Sequence, residues 1–451
     1  MTIKFFNTLD RKIEDFKPIE PGKVKLYTCG PTVYDSVHIG NLRAYIFADL
    51  LTRVLTHAGY DLNRVMNITD IDDKTIKKGE GKRAEFEQVI KKYEDQFWSD
   101  FSQINNLKPN VVTNATKYVD KMVKFIEVLL EKGLAYKTSD GSIYFSIAKF
   151  PEYGKLAHLD QTSLKPGARV NQDEYDKENP ADFVLWKAWD EADGEIFWET
   201  SLGKGRPGWS IECSAMSMDI LGNTLDIHTG GVDNIFPHHE NEIAQSEGKT
   251  GVKFVNYWLH NEHLLVDNKK MSKSLNNFYT LNDIKAKGFS GLDFRYLCLG
   301  AHYRTKMNFT WDGLEGARNA RTRLKRIIED FDVNIGSINT EYSGQFNLKM
   351  ANDLDSPGAL SVLWELVRDD KISPEDKLAT VAEMDRVLGL DLIQKEAKTE
   401  LSVEQKSMVE EREAARKVGD WAKSDKIRSE LAEQGINIED TAEGTKILNK
   451  P

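Results

Sequence analysis

Lys270-Met271-Ser272-Lys273-Ser274 places two ammonium groups three residues apart in a loop of small, hydroxyl-bearing residues. Such a loop suits a triphosphate, because ammoniums on flexible stems follow charge as it develops on departing phosphate. Lys273 is the candidate to hold the phosphates, with Lys270 and Ser272 supporting it. Far upstream, His38-Ile39-Gly40-Asn41 offers an imidazole and an amide as donors to a phosphoryl transition state, and Gly40 has no Cβ to keep backbone away from an adenine. Gly231 and Asp233 follow the apolar run Leu225 to Thr229, a position from which a carboxylate accepts hydrogen bonds from ribose hydroxyls. Each motif alone recurs by chance, and only their order and setting give them weight.

A second constellation concerns metal. Cys29, Cys213, His238 and Glu242 supply two thiolates, an imidazole and a carboxylate, a donor set that suits Zn²⁺. His238 and Glu242 stand at i and i+4, so on a helix opened by Pro237 they share a face, while helical direction puts His239 and Glu240 on others. The four are dispersed and no C-x-x-C occurs, so a core role for both cysteines stays open on residue types alone. Cys298, in Phe294 to Leu299, has the apolar setting of a core residue.

These side chains need a scaffold. Val24 to Cys29 alternates as a strand, Gly30 and Pro31 break it, and from Leu42 apolar residues recur at helical spacing until Gly59. Arg64 to Thr69 reads as a second buried strand, so the unit is strand, helix, parallel strand, with His38 and Gly40 at the carboxyl end where open α/β sheets bind ligands. Ser142 to Trp198 breaks into short alternating pieces between Gly, Pro and acidic loops, a β-rich insertion within about residues 130–205. The sheet resumes at Leu225, and Pro237 is expected to open a helix running to about Gly248. Beyond about Thr310 long charged amphipathic segments take over. The expected fold is α/β, a Rossmann-like parallel nucleotide-binding sheet with a β-rich insertion, followed by a helical C-terminal region.

The 451 residues, 40% hydrophobic and 29% charged, suffice for two or three folded domains and exclude a disordered chain. No run approaches the ~18 apolar residues of a membrane span. Three cysteines far apart argue against a disulfide framework and for a cytoplasmic protein. A net charge of −11 does not advertise nucleic-acid binding, yet Arg318, Arg321, Arg323, Lys325 and Arg326 cluster on one expected helix, and Lys417, Lys423, Lys426 and Arg428 on another. Charge patterning alone leaves solvated faces and a nucleic-acid patch equally open.

The blocks Cys29 to Asp35, Asn67 to Lys74, Gly208 to Met216, Asp226 to Gln245 and Lys270 to Ser274, in this order, resemble the cysteinyl-tRNA synthetase family of class I aminoacyl-tRNA synthetases. Asn41 stands where the commoner family motif has a second histidine. The resemblance implies ATP-dependent attachment of L-cysteine to tRNA(Cys) through a cysteinyl adenylate, with Mg²⁺ accompanying ATP. It also implies one Zn²⁺ per chain, held by Cys29, Cys213, His238 and Glu242 and bound directly by the substrate thiolate. Thr69 and Trp209 would complete the amino-acid pocket beside Cys29 and His238. The implied organisation is a catalytic domain over 1–315 with its lysine-loop region at about 265–315, a helical bundle over 316–400 and a small anticodon-recognition domain over 401–451. Asn352 to Leu360 and Glu410 to Ala422 resemble the corresponding C-terminal signatures. The expected protein is a monomer without a membrane partner, and its first 315 residues should suffice for adenylate formation.

Overall fold

Alternation of apolar and polar residues first produces a short N-terminal hairpin, β1 (Lys4–Asn7) with β2 (Lys12–Asp15), and then the strand–helix–strand unit β3 (Lys23–Thr28), α1 (Ile39–His57) and β4 (Asp61–Ile68). The structure, a computed structural model, describes residues 2–159, 182–272, 275, 277–331, 333–394, 402–434, 436–441 and 444–448. Lys273 and Ser274 of the lysine loop and the middle of the insertion lie outside the described residues. After α2 (Asp73–Lys78) and α3 (Arg83–Gln103), strand β5 (Val111–Asn114) joins the same sheet. Helix α4 (Val119–Glu131) leads into the antiparallel insertion, β6 (Ala135–Lys137), β7 (Ile143–Phe145), β8 (Phe183–Ala188), β9 (Trp198–Thr200) and β10 (Gly203–Pro207). The chain returns through α5 (Trp209–Leu221), β11 (Leu225–Gly231), α6 (Glu240–Thr250) and β12 (Val255–Asn261). The five-stranded sheet is parallel throughout, in the order β12-β11-β3-β4-β5. Its strand order therefore reverses between β3 and β11, the switch point where such sheets open a crevice.

Three short strands follow, β13 (Leu264–Val266), β14 (Lys269–Lys270) and, after helices α7 (Leu281–Ala286) and α8 (Gly291–Leu299), β15 (Met307–Phe309). Central β13 pairs antiparallel with β14 and parallel with β15. Four helices come next, α9 (Trp311–Glu329), α10 (Thr340–Ala351), α11 (Ser356–Arg368) and α12 (Pro374–Leu388), and then α13 (Val403–Lys417), α14 (Trp421–Glu433) and a hairpin of β16 (Asn437–Thr441) with β17 (Gly444–Leu448). The C-terminal region is helical as expected, with this hairpin added at its end. The second basic cluster is divided, Lys417 ending α13 while the other three ride on α14.

Helix α1 is apolar almost all round because sheet residues cover one side and α8 and α12 the other. Leu42, Ile46, Leu51 and Leu55 are buried, each contributing about 1.5–3 kcal/mol on leaving water. One apolar core runs from Ile3 and Phe5 through α1 and α8 to Leu388, Leu390 and Leu392. A second packs Phe145, Trp186 and Trp258 between insertion and sheet, and a third, small and separate, unites Ile427, Leu431, Ile436 and Ile438.

Two buried polar junctions tie α12 and the α10–α11 turn to the nucleotide sheet. Asp49 of α1 accepts from Arg53 Nε at 2.7 Å and Arg295 Nη2 at 2.6 Å, and Arg295 also donates to Leu388 O at 2.7 Å and Ile104 O at 3.0 Å. Asp353, between α10 and α11, accepts from Phe6 N at 2.8 Å, Tyr303 Oη at 2.6 Å and Arg304 Nε at 2.7 Å. No helix among the described residues is long and apolar enough to cross a membrane.

Candidate active site and metal centre

At the switch point a cavity of about 600 Å³ opens between the carboxyl ends of β3 and β11. Cys29 and Gly30 line it from β3, Thr69 from the end of β4, and Gly230, Gly231 and Asp233 from β11. Trp209 and Cys213 of α5, His238, the start of α1 and Lys270 of β14 complete most of the wall. Close approach is needed here: a Cβ on Gly30 would collide with Asn67 O, and one on Gly231 with the Asp233 carboxylate.

The ATP-type end is organised by the first turn of α1. His38 is its N-cap: Asn41 N donates to His38 Nδ1 at 3.1 Å while His38 N donates to Asn41 Oδ1 at 3.2 Å, a reciprocal capping box. Because Nδ1 accepts, the neutral ring carries its proton on Nε2. Burial pulls the His38 pKa down, so the ring is a neutral donor at pH 7. The Asn41 carbonyl is committed to the cap. A Cβ on Gly40 would lie 2.9 Å from His38 Nδ1 and Cε1, so this glycine makes room for the imidazole and not only for a nucleotide. Opposite, Lys270 is exposed, and Asn277 closes the base of the lysine loop by donating to Lys270 O at 3.1 Å and accepting from Ser272 N at 2.8 Å. Ser272 itself does not line the cavity.

At the other end Cys29, Cys213, His238 and Glu242 bring one donor atom each to within 4.8 Å of one another. The same criterion admits Cys29, His228, His239 and Glu242. The expectation that His239 faces elsewhere is therefore corrected: Ile235–His239 is a π-type turn kinked at Phe236, α6 begins at Glu240 rather than Pro237, and His239 Nε2 comes 3.4 Å from Cys29 Sγ. Glu240 does point away, its carboxylate accepting from Gly154, Leu156 and Ala157 N–H groups.

Hydrogen bonding separates the two sets. His239 is committed at both nitrogens, Nδ1 lying 2.7 Å from His260 Nε2 and Nε2 3.4 Å from Cys29 Sγ; His228 Nε2 lies 3.1 Å from Glu242 Oε2 with its Nδ1 unpartnered, and His238 Nδ1 lies 3.3 Å from Ser210 Oγ. His238 Nε2 and Glu242 Oε1, 3.2 Å apart and buried, are in no hydrogen bond. An unpartnered buried ring nitrogen and an unpartnered carboxylate oxygen beside two thiols fit a thiophilic cation held by the first set, with His228 orienting the carboxylate from behind.

The electrostatics agree with that assignment. The Cys213 thiol donates to Cys29 and, with His238 and His228, brings the Cys29 pKa down to about 6 despite burial. Burial, followed by the neighbouring Cys29, pushes Cys213 up. Burial raises Glu242 to about 8. Burial lowers His238, but the Cys29 thiolate and Glu242 outweigh it and leave the imidazole raised. Trp209 stacks on His238 with ring centroids 4.0 Å apart. Thr69 Oγ1 donates to buried Glu212 at 3.0 Å and accepts from Asn67 Nδ2 at 3.1 Å.

Sequence reasoning assigned no role to His228, His260, Glu212 or Lys306. His228 was findable as a polar residue inside the apolar strand Leu225–Thr229, whereas Lys306 has no local signal and reaches the cavity only through the pairing of β15 with β13. Cys298 is buried as expected, its thiol pushed up to about 12 by that burial. Of the α9 basic cluster, Arg321 donates to Leu390 O and pairs with Asp293, and Lys325 is buried, so part of it holds the fold together.

A nucleotide-type crevice at the switch point of a parallel sheet, with a capped His-Ile-Gly-Asn helix on one side and a lysine strand on the other, defines the catalytic domain of a class I aminoacyl-tRNA synthetase. The family described as "tRNA synthetases class I (C) catalytic domain" matches residues 15–319. The cysteine–tRNA ligase of Chlamydia muridarum is 46% identical over 99% of both chains, and that of Protochlamydia amoebophila 44% identical over 99% of this chain and 97% of its own. The chain belongs to the cysteine–tRNA ligase family. The fold is shared with solved structures of low identity: Mycobacterium tuberculosis methionyl-tRNA synthetase in complex with methionyl-adenylate has a TM-score of 0.56 at 12% identity, covering 82% of this chain and 91% of that one. A ternary LeuRS–tRNA–LeuAMS complex from Agrobacterium radiobacter K84 has a TM-score of 0.58 at 10% identity, covering 83% and 84%.

Proposed function

We propose that this protein, a cytoplasmic monomer, joins L-cysteine to tRNA(Cys) in two ATP-dependent steps. The cysteine carboxylate attacks the α-phosphorus of Mg²⁺-bound ATP, giving cysteinyl adenylate and pyrophosphate, and a terminal ribose hydroxyl of the tRNA then displaces AMP. The observation that carries this reading is the convergence of Cys29, Cys213, His238 and Glu242 beside a cavity that His38 and Lys270 also line. His38, with its proton on Nε2, donates to phosphate oxygen without bringing charge; Lys270, and Lys273 on the loop, balance the charge that develops on pyrophosphate. Asn41 holds the imidazole, Gly40 and Gly231 keep space for the nucleotide, and Asp233 accepts from ribose hydroxyls. Thr69 and Trp209 shape the amino-acid pocket. A zinc ion held by the four ligands would bind the substrate sulfur as thiolate and so reject serine, whose hydroxyl loses its proton with difficulty near pH 7. Residues 1–315 carry this chemistry, 316–400 form the helical bundle, and 401–451 recognise the anticodon; the separate small core around Ile427 and Leu431 supports the last division.

The test is charging of tRNA by the full chain with cysteine and, in parallel, serine, combined with metal analysis of wild type and Cys213→Ser. Cysteine alone should be attached, with about one zinc per chain that the variant loses. Serine charged as well as cysteine, or zinc retained unchanged in the variant, overturns the reading.

A further inference from the structure

Lys306 stands in the loop between α8 and β15 and lines the same cavity as His38 and Lys270. Its place follows from strand order: β13 is flanked by β14 on one side and β15 on the other, Leu265 facing Lys270 across one ladder and Asn308 across the other. Lys270 and Lys306 thus approach the cavity from the two outer strands of one three-stranded sheet. Lys306 is exposed and, among the described residues, in no ion pair with a carboxylate.

The backbone that carries it is held unusually firmly for a surface loop. Arg43, one turn into α1 from His38 and buried, donates to Thr305 O at 2.6 Å, to Glu262 O at 2.7 Å and to His263 O at 2.8 Å. Met307 N donates to His263 O at 3.1 Å. On the far side Asp353 takes Tyr303 and Arg304 of the same loop. A lysine whose loop is anchored on both sides, whose ammonium has no acidic partner and which opens on a cavity built for a polyanion has the attributes of a ligand contact.

We infer that Lys306 is a further phosphate-binding residue of this site, positioned by Arg43 and Asp353, an inference that rests on the synthetase reading above. Two substrates bring phosphate to the cavity, ATP and the acceptor end of tRNA, and Lys306→Ala separates them. In cysteine-dependent ATP–pyrophosphate exchange, a contact to the ATP phosphates predicts a KM for ATP raised about ten-fold, the scale of one charge-assisted hydrogen bond, with Lys306→Arg restoring most of it. A contact to the acceptor-end phosphodiester predicts unchanged exchange and a similar rise in KM for tRNA in charging. Either outcome supports the assignment and names its source. If exchange and charging both match wild type in KM and kcat, the inference is overturned. Absence of cysteine-dependent exchange in the wild type would instead overturn the synthetase reading itself.

Discussion

Glu242, His238 and the two cysteines meet where little water reaches, and the same burial acts on carboxylates elsewhere in the chain. Asp100, on α3, is 2% exposed, one of its oxygens has no hydrogen-bond partner, and burial raises its pKa to about 6. The native state therefore binds this proton more tightly than the unfolded chain, whose ordinary aspartate titrates near 3.9. Its contribution is fully present below about pH 4 and is lost as pH rises through about 6. Asp100→Asn is expected to stabilise the protein at pH 7, by at most about 3 kcal/mol, and to leave it unchanged near pH 3.5. Urea denaturation at the two pH values checks this, and an equal effect at both would refute it. The carboxylate gives no such warning in the sequence, where Asp100 looks like one more polar residue on an amphipathic helix.

Helix α1 shows how an element turns composition into a site. Its start positions His38, and Gly40 follows because any Cβ would displace the ring. Gly40→Ala should change little in stability, since alanine favours a helix by up to about 1 kcal/mol over glycine while the crowded ring swings aside. Exchange activity should fall roughly 10²-fold, the scale for misplacing a reacting group by about an ångström. Circular dichroism beside pyrophosphate exchange measures both, and a fully active variant would mean that His38 need not stay where its cap holds it. The βαβ unit and the motifs at its carboxyl ends were legible because hydrophobic periodicity reports buried faces directly. What escaped had no such period. Strand β10, Gly-Lys-Gly-Arg-Pro, lacks apolar alternation, and it lies so close to β8 that a Cβ at Gly205 would strike Lys187 O. The terminal hairpin is largely polar in its first strand, Asn-Ile-Glu-Asp-Thr, and the π-type turn that brings His239 to Cys29 is set by tertiary packing.

At the scale of the molecule, the Asp49–Arg53–Arg295 junction joins α1 to α12 inside one continuous core. Removing Arg295 leaves Asp49 with Arg53 as its remaining ion-pair partner and strips the buried Leu388 and Ile104 carbonyls of a donor, so Arg295→Met should cost about 3–5 kcal/mol in urea denaturation, and a loss below about 1 kcal/mol would show that the junction is dispensable. The first 315 residues accordingly lack the Leu388 carbonyl that accepts from Arg295 Nε and the Asp353 carboxylate that accepts from Tyr303 and Arg304. A chain cut there is expected to lose pyrophosphate exchange along with charging, contrary to what motif order alone implied. The bond from Phe6 to Asp353 has one more consequence, in time. It spans 347 residues of sequence, so at about 5–20 residues per second a ribosome needs roughly 20–70 s between making the first strand and making the carboxylate that anchors it. Throughout that interval the N-terminal edge of a nascent chain waits with its hydrogen bond unmade, and the order of synthesis decides when the first strand can be fixed to the turn between α10 and α11.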